Sequence, residues 1–182
     1  MTVTPRAHAG YSKNLYELDT EGKFASNKFK FEVRFPKGDE EVETYVKSIL
    51  KLHKSAGNNQ YPPIRDGDDV AKKTDNEKRA SFAKGHWLQS FKSDYEPALV
   101  DTKKTTLPKN VVIMGGDEVK VSFNPRAYDM LGGGVSNQLN AVMLIAKVVG
   151  GRGAAEFGED EDGFVAGSSD DTGVEGDEDD DD

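Results

Sequence analysis

A mainly β fold, a small closed barrel carrying one helix and an acidic appendage, is what this 182-residue sequence predicts. Three observations predict it. Apolar and polar residues alternate over several short runs, the period of strands with one buried face. Only one long stretch has helical spacing, and glycine or proline punctuates the rest. Charge is also unevenly divided. Residues 156–182 hold 14 Asp and Glu and no Lys or Arg, so the 33 acidic and 24 basic residues of the chain leave 19 acidic and 24 basic for residues 1–155. The body is therefore about +5 and the tail −14.

Taken in order, residues 1–10 read as an irregular arm, and Ala7–Leu18, with Tyr11, Leu15, Tyr16 and Leu18, reads as a first strand. Asp19–Gly22 is a turn. Lys28–Pro36 is the clearest strand: Phe29, Phe31, Val33 and Phe35 alternate with Lys28, Lys30, Glu32 and Arg34. Pro36 ends it because it lacks an amide donor. An ordinary half-buried strand explains this pattern, and so does a sheet face built to hold an anion. Asp39 then caps a helix whose Val42, Val46, Ile49 and Leu50 share one side. Acidic residues at its start, lysines toward its end and Ala56-Gly57 follow the helix dipole and the usual stop signal, so it reads as a barrel plug or cover.

Asn58–Ala83 is polar and reads as a long loop with one short helical turn. Its Asp66-Gly-Asp-Asp69 lacks the spacing and distal Glu of a calcium loop. Lys84–Ser93 is a second strand candidate, with Trp87, Gln89 and Phe91 on one face and Leu88, Ser90 and Lys92 on the other. Alternation alone leaves open whether the aromatics enter a core or form a stacking platform. Pro97–Val100 and Val111–Met114 are short apolar runs joined through the basic segment Asp101–Thr105. Asp117–Asn124 alternates again, with Val119, Val121 and Phe123 inward and Lys120 outward. Leu131–Gly134 is a flexible turn. Val135–Val149 allows a helix, but its valines and the alternating Leu139, Ala141, Met143 and Ile145 favour a largely buried strand. Gly150–Gly153 hinges to the tail. Five to seven strands around one helix suggest an OB-type barrel. Residues 1–150 form its domain, and residues 151–182 a disordered acidic tail with too little apolar surface to fold alone.

Several chemistries are absent. There is no cysteine, and His8, His53 and His86 have no ligand spacing, so neither a metal site nor another cofactor is expected. No apolar stretch approaches a membrane span, and Met1–Arg6 does not resemble a signal peptide. Gly132–Ser136 lacks the Lys-Ser/Thr ending of a phosphate loop, and no nucleophile elbow occurs. The reading is not an enzyme. What remains is a basic body able to hold an anion and a polyanionic tail that competes with it or recruits basic partners. A plain solubility tail is the simpler alternative for the acidic run.

Ile113-Met-Gly-Gly-Asp-Glu-Val-Lys-Val-Ser-Phe-Asn-Pro-Arg-Ala-Tyr128, followed by Gly133-Gly-Val-Ser-Asn-Gln-Leu-Asn-Ala-Val-Met-Leu-Ile145, resembles phage-encoded single-stranded DNA-binding proteins of podophages and their siphophage relatives. The early Phe-x-Val-x-Phe-Pro strand with its helix, the mid-chain Asp-Gly and the glycine-hinged acidic tail fit the same order. The resemblance implies an OB fold, sequence-tolerant binding of single-stranded DNA, and a place in phage DNA replication, recombination and repair in the cytoplasm of the infected bacterium. It implies that the tail competes with DNA and docks the phage DNA polymerase and helicase or primase. A homodimer is among the assemblies it allows. On this reading Lys30, Arg34, Lys92, Lys120 and Arg126 contact phosphates, and Trp87, Phe91 and Tyr128 stack bases. Several relatives end in an aromatic residue where this chain ends in Asp182. Phe157 or Phe164 would then serve beside Asp179, Asp180, Asp181 and Asp182 in partner binding. A different class of function, an acidic-tailed protein-interaction hub that binds no nucleic acid, would have no use for the aligned cations.

Overall fold

The computed structural model describes residues 1–21 and 25–148. Eight strands and four α-helices occur among them: β1 (Thr2–Val3), β2 (Ala7–Ala9), α1 (Lys13–Tyr16), β3 (Phe29–Pro36), α2 (Glu40–Ser55), β4 (Ile64–Asp66), α3 (Gly67–Lys73), α4 (Glu77–Ala83), β5 (His86–Ser93), β6 (Ala98–Val100), β7 (Glu118–Tyr128) and β8 (Gly134–Ala146), with a short 3-10 turn at Met130–Gly132. β2 pairs with β3, β3 with β5, β5 with β8, β8 with β7, and β7 with β2, which closes a ring of five strands. This is the OB-type barrel with extra strands, β1, β4 and β6, added at its rim. The seam between β5 and β8 is parallel and rests on the single register pair Lys92 and Gln138.

The interior follows from the alternation. Phe31, Val33 and Phe35 of β3, Phe91 of β5, and Val119, Val121 and Phe123 of β7 are all buried. Phe91 and Phe123 meet edge to face with ring centroids 5.1 Å apart. On β8 the inward phase changes. Leu139 points in, but a register shift opposite Ser122 and Phe123 makes Val142 and Leu144 the next buried residues, not Ala141, Met143 and Ile145. A bulge adds one residue to one strand and so moves the following side chains to the other face.

α2 plugs one end of the barrel with Val42, Val46, Ile49 and His53. Asp39 caps it through the Val42 amide at 3.0 Å. The Tyr45 ring packs at a tilt of 53° with its centroid 5.6 Å from that of Phe35, and its hydroxyl donates to Gln89 Oε1 at 2.7 Å. At its far end, Gly57 lies at φ 125, and a Cβ there would sit 2.2 Å from the Gly132 carbonyl. The turn at 131–134 is thus held against the helix end by glycine-on-glycine contact.

Three expectations are corrected. The arm at 1–10 is not irregular: it contributes β1 and β2. The strand expected over Ala7–Leu18 stops at Ala9 and gives way to α1, in which Leu15 alone is buried. Residues 58–83 are not a loop with one turn but β4 and two seven-residue helices, capped by Asp66 on the Asp68 amide at 2.8 Å and by Asn76 on the Arg79 amide at 3.0 Å. Val111–Met114 forms no strand, although Ile113 is fully buried and its amide donates to the Tyr16 hydroxyl at 2.7 Å. No helix among the described residues is long and apolar enough to cross a membrane.

Candidate nucleic-acid interface

Because β3 and β5 are antiparallel, their outward residues face one another in pairs: Lys30 with Lys92, Glu32 with Ser90, Arg34 with Leu88. In OB folds the face of the second and third barrel strands, with the loops joining the first to the second and the fourth to the fifth, is where oligonucleotides bind. Here those are β3 and β5, residues 10–28 and residues 129–133.

The Lys30–Lys92 half of this face is open. Lys30 is paired with Asp19, whose carboxylate also accepts from the Ser26 amide at 3.1 Å. The Lys30 ammonium, then the Ser26 amide, hold Asp19 below the ordinary carboxylate range. Lys92 has no carboxylate partner among the described residues. Burial of its stem, with the like charges of Lys30 and Lys28, lowers its pKa, opposed by Asp19. Two clefts meet at this lysine. One, of about 310 Å³, runs past Lys30 to Tyr11 and Asn14. The other, of about 230 Å³, runs past Arg65 to Tyr61, Tyr128 and Ser136. Ser90 and Lys92 line both, so the two form one groove across the β3–β5–β8 face. Tyr11 is 71% exposed and Tyr61 58%, rings free to be stacked upon. The loop at 129–133 adds the exposed Met130 and Leu131, the latter at φ 56 in the left-handed region.

The Arg34–Leu88 half is covered. Glu32 accepts from Arg65 Nη2 at 2.7 Å, from Arg79 Nη2 at 3.0 Å and from Ser90 Oγ at 3.0 Å. Arg34 donates to the Phe82 carbonyl at 3.0 Å and lies 4.7 Å over the Phe82 ring. α4 is thereby fastened onto the sheet. Beside it, Asp66 and Asp68 converge on Lys37 Nζ at 2.6 Å each, so the acidic run dismissed as a calcium loop holds an internal ammonium.

The expected site residues therefore separate. Lys30, Lys92 and Tyr128 line the groove, and Arg126, exposed and opposite Ser136 on β8, stands at its edge. The Tyr128 ring packs on Gly134, where a Cβ would lie 2.8 Å from its hydroxyl, and that hydroxyl accepts from Asn59 Nδ2 at 2.9 Å. Phe91 is corrected: it is 0% exposed in the barrel core and offers no face to a base. Trp87 is corrected as well. It shares the inward face, opposite Phe35, with its indole N–H on Glu43 at 2.9 Å and Lys37 5.0 Å over its ring. Lys120 lies in a separate cleft of about 350 Å³ with Arg6, His8 and Glu118. Phe157, Phe164 and Asp179–Asp182 fall outside the described residues. Sequence reasoning missed Tyr11, Tyr61 and Arg65. For Tyr61 the available signal was its place in a polar, proline-flanked segment; Tyr11 was hidden by its inclusion in the strand expected over Ala7–Leu18.

No protein-family model matches the chain, and no curated protein matches it. Solved structures do. A single-stranded DNA-binding protein encoded by bacteriophage T7 superposes with a TM-score of 0.54 at 18% identity, covering 91% of this chain and 97% of its own. The single-stranded DNA-binding protein of bacteriophage Enc34, in complex with single-stranded DNA, gives 0.59 at 17% identity over 81% of this chain and 86% of its own. Its C-terminally truncated form gives 0.61 at 16% identity with the same coverage. The chain thus has the fold of these phage single-stranded DNA-binding proteins, the group that the sequence itself resembles.

Proposed function

We propose that the body binds single-stranded DNA, with little sequence preference, in the groove across β3, β5 and β8. The observation that carries this reading is the Lys30–Lys92 pair, set outward on one sheet face between the exposed rings of Tyr11 and Tyr61. Two ammonium groups side by side repel each other and gain when a phosphate sits between them. Tyrosines at the groove's ends accept any base, because every base has a π-face. Lys92 and Arg126 are the phosphate contacts without a carboxylate partner among the described residues, Lys30 and Arg65 join them by exchanging Asp19 and Glu32 for phosphate, and Tyr11, Tyr61 and Tyr128 are the stacking residues. The Enc34 protein, solved in complex with single-stranded DNA, and the T7 single-stranded DNA-binding protein support the assignment by fold.

Residues 151–182 complete the proposal as a separate acidic segment. It competes with DNA for the body's cations and recruits replication proteins, the phage polymerase and helicase or primase among them. The setting is phage DNA replication, with recombination and repair, in the cytoplasm of the infected cell.

Anisotropy of a labelled oligo(dT) tests the reading. With about four phosphates neutralised, log K falls against log salt with a slope of roughly −3. Lys92→Glu weakens binding at least about tenfold, and removing residues 156–182 tightens it. Absence of binding by the full chain and the truncated chain alike at low salt sinks the DNA reading and leaves the protein-hub alternative. Equal affinity of the two forms removes only the tail's competing role.

A further inference from the structure

The covered half of the β3–β5 face is not closed off on its far side. A bay of about 880 Å³ opens there, lined among others by Tyr11, Arg34, Lys78, Phe82, Val112 and Met114. Tyr11 is also a wall of the central groove, so the two spaces adjoin at that ring. The bay's lining includes Lys13, Arg34, Lys78 and Arg79, and no carboxylate. Lys13 is committed to Glu17 and Glu21, and Arg79 to Glu32. Lys78 has no ion-pair partner among the described residues.

Arg34 is the more telling cation. Its guanidinium has a carbonyl and an aromatic ring for partners, and its Nε is buried with no hydrogen-bond partner. The nearest carboxylate along its strand, Glu32, is already taken by Arg65, Arg79 and Ser90. Burial lowers the pKa of Arg34, as it does for a cation that lacks a compensating anion. A partly buried cation in this state gains from an anion brought to it. The lining also carries exposed apolar side chains, Val112 at 45% and Met114 at 58%. Cations and apolar side chains in one bay match a nucleotide, with its phosphate and its base.

We propose that the bay is a second segment of the DNA track, in which the strand turns around Tyr11 and places a phosphate between Arg34 and Lys78 with its base against Val112 and Met114. The proposal rests on the groove reading and extends it. The groove alone takes a short oligonucleotide, and the groove plus bay takes a longer one within the range of a single OB fold.

The test compares oligo(dT) of roughly 5 and roughly 12 nucleotides on the full chain. Lys78→Glu and, separately, Arg34→Met weaken the longer oligonucleotide about tenfold and leave the shorter within about twofold. Lys78 is exposed, so its substitution keeps the test valid should Arg34→Met unfold the protein. Unchanged affinity for both lengths, or equal weakening of both, overturns the second segment and leaves the groove standing. Failure of the unsubstituted protein to bind either length overturns the groove reading and the extension together. Capture of an oligoglutamate peptide that Lys78→Glu abolishes, with DNA affinities unmoved, would assign the bay to an acidic protein partner and overturn the proposal.

Discussion

The two halves of the outward β3–β5 face are built from the same alternation and end in opposite states. At Lys30 and Lys92 the pair of residues looks into an open groove. At Arg34 and Leu88, one pair beyond Glu32 and Ser90, the sheet is roofed by α4 and Leu88 is fully buried. The difference lies in what folds back over the strands. Glu32, between the halves, collects Arg65 and Arg79 from the segment linking α2 to β5 and so fixes where the cover stops. A cation's position on a strand decides which face it occupies. The segment packed above decides whether that face stays available.

Breaking Glu32 gives the largest effect. Glu32→Ala strands two guanidinium groups and one hydroxyl at a site where the carboxylate is only 17% exposed. A loss of about 1–2 kcal/mol is expected in urea unfolding, since the Ser90 hydroxyl and the two arginines lose their acceptor while the 43% and 33% exposed guanidinium groups regain part of their hydration. Amide exchange quickens in α4 well before the β7–β8 ladder. Uniform quickening across both would show that the cover and the barrel open as one unit.

Sharpening the open half gives the next effect. Lys92→Ala lowers oligo(dT) affinity about fivefold and makes the salt slope shallower by roughly 0.7, the share of one phosphate contact on a single strand. An unchanged slope would place Lys92 beside the DNA path and not on it.

Acid separates the halves. Burial works against ionisation of Asp66, but Lys37 and the Asp68 amide outweigh it and hold its carboxyl below the ordinary range. Lys37, then the Gly85 amide, do the same for Asp68. Depressed carboxylate values mean that the stabilisation is complete above the unfolded-state range, near pH 4, and is lost as pH falls through the folded values. Lys37 lies over Trp87, the only tryptophan, and Glu43, held below the ordinary range by the Trp87 indole N–H and then the Gly38 amide, touches the ring directly, so the emission reports Glu43 and this cluster together below about pH 4. Lys37→Met removes the cluster's share of the acid step and leaves that of Glu43. An acid step of the same size in that variant would trace it to other carboxylates.

What the sequence made legible was the alternation: the buried Phe31, Val33 and Phe35, the outward Lys30 and Arg34, and the plug helix from its cap and spacing. On β5 alternation named two faces without choosing between them. Trp87 and Phe91 turned inward because register with Phe35 and Phe31 gave them the apolar side. The cover was hidden for a different reason. α3 and α4 are seven residues each, too short for periodicity to register, although Asp66 and Asn76 carried usable cap signals. The tail's Phe157 and Phe164 lie beyond the described residues, so their roles rest on the resemblance alone.

The smallest expected effect is also the sharpest test of the comparison. Lys120 alternates with Val119 and Val121 just as Lys30 does with Phe31, and by sequence the two are equivalent phosphate contacts. In the fold Lys120 lines a cleft with Arg6, His8 and Glu118, beside Asp39 and Glu41 at the start of α2. Carboxylates of that kind repel a phosphate backbone, so Lys120→Ala should change oligo(dT) affinity less than twofold and leave the salt slope as it was. A loss comparable to that of Lys92→Ala would mean that the strand wraps onto β7, and that an exposed cation counts wherever the barrel carries it.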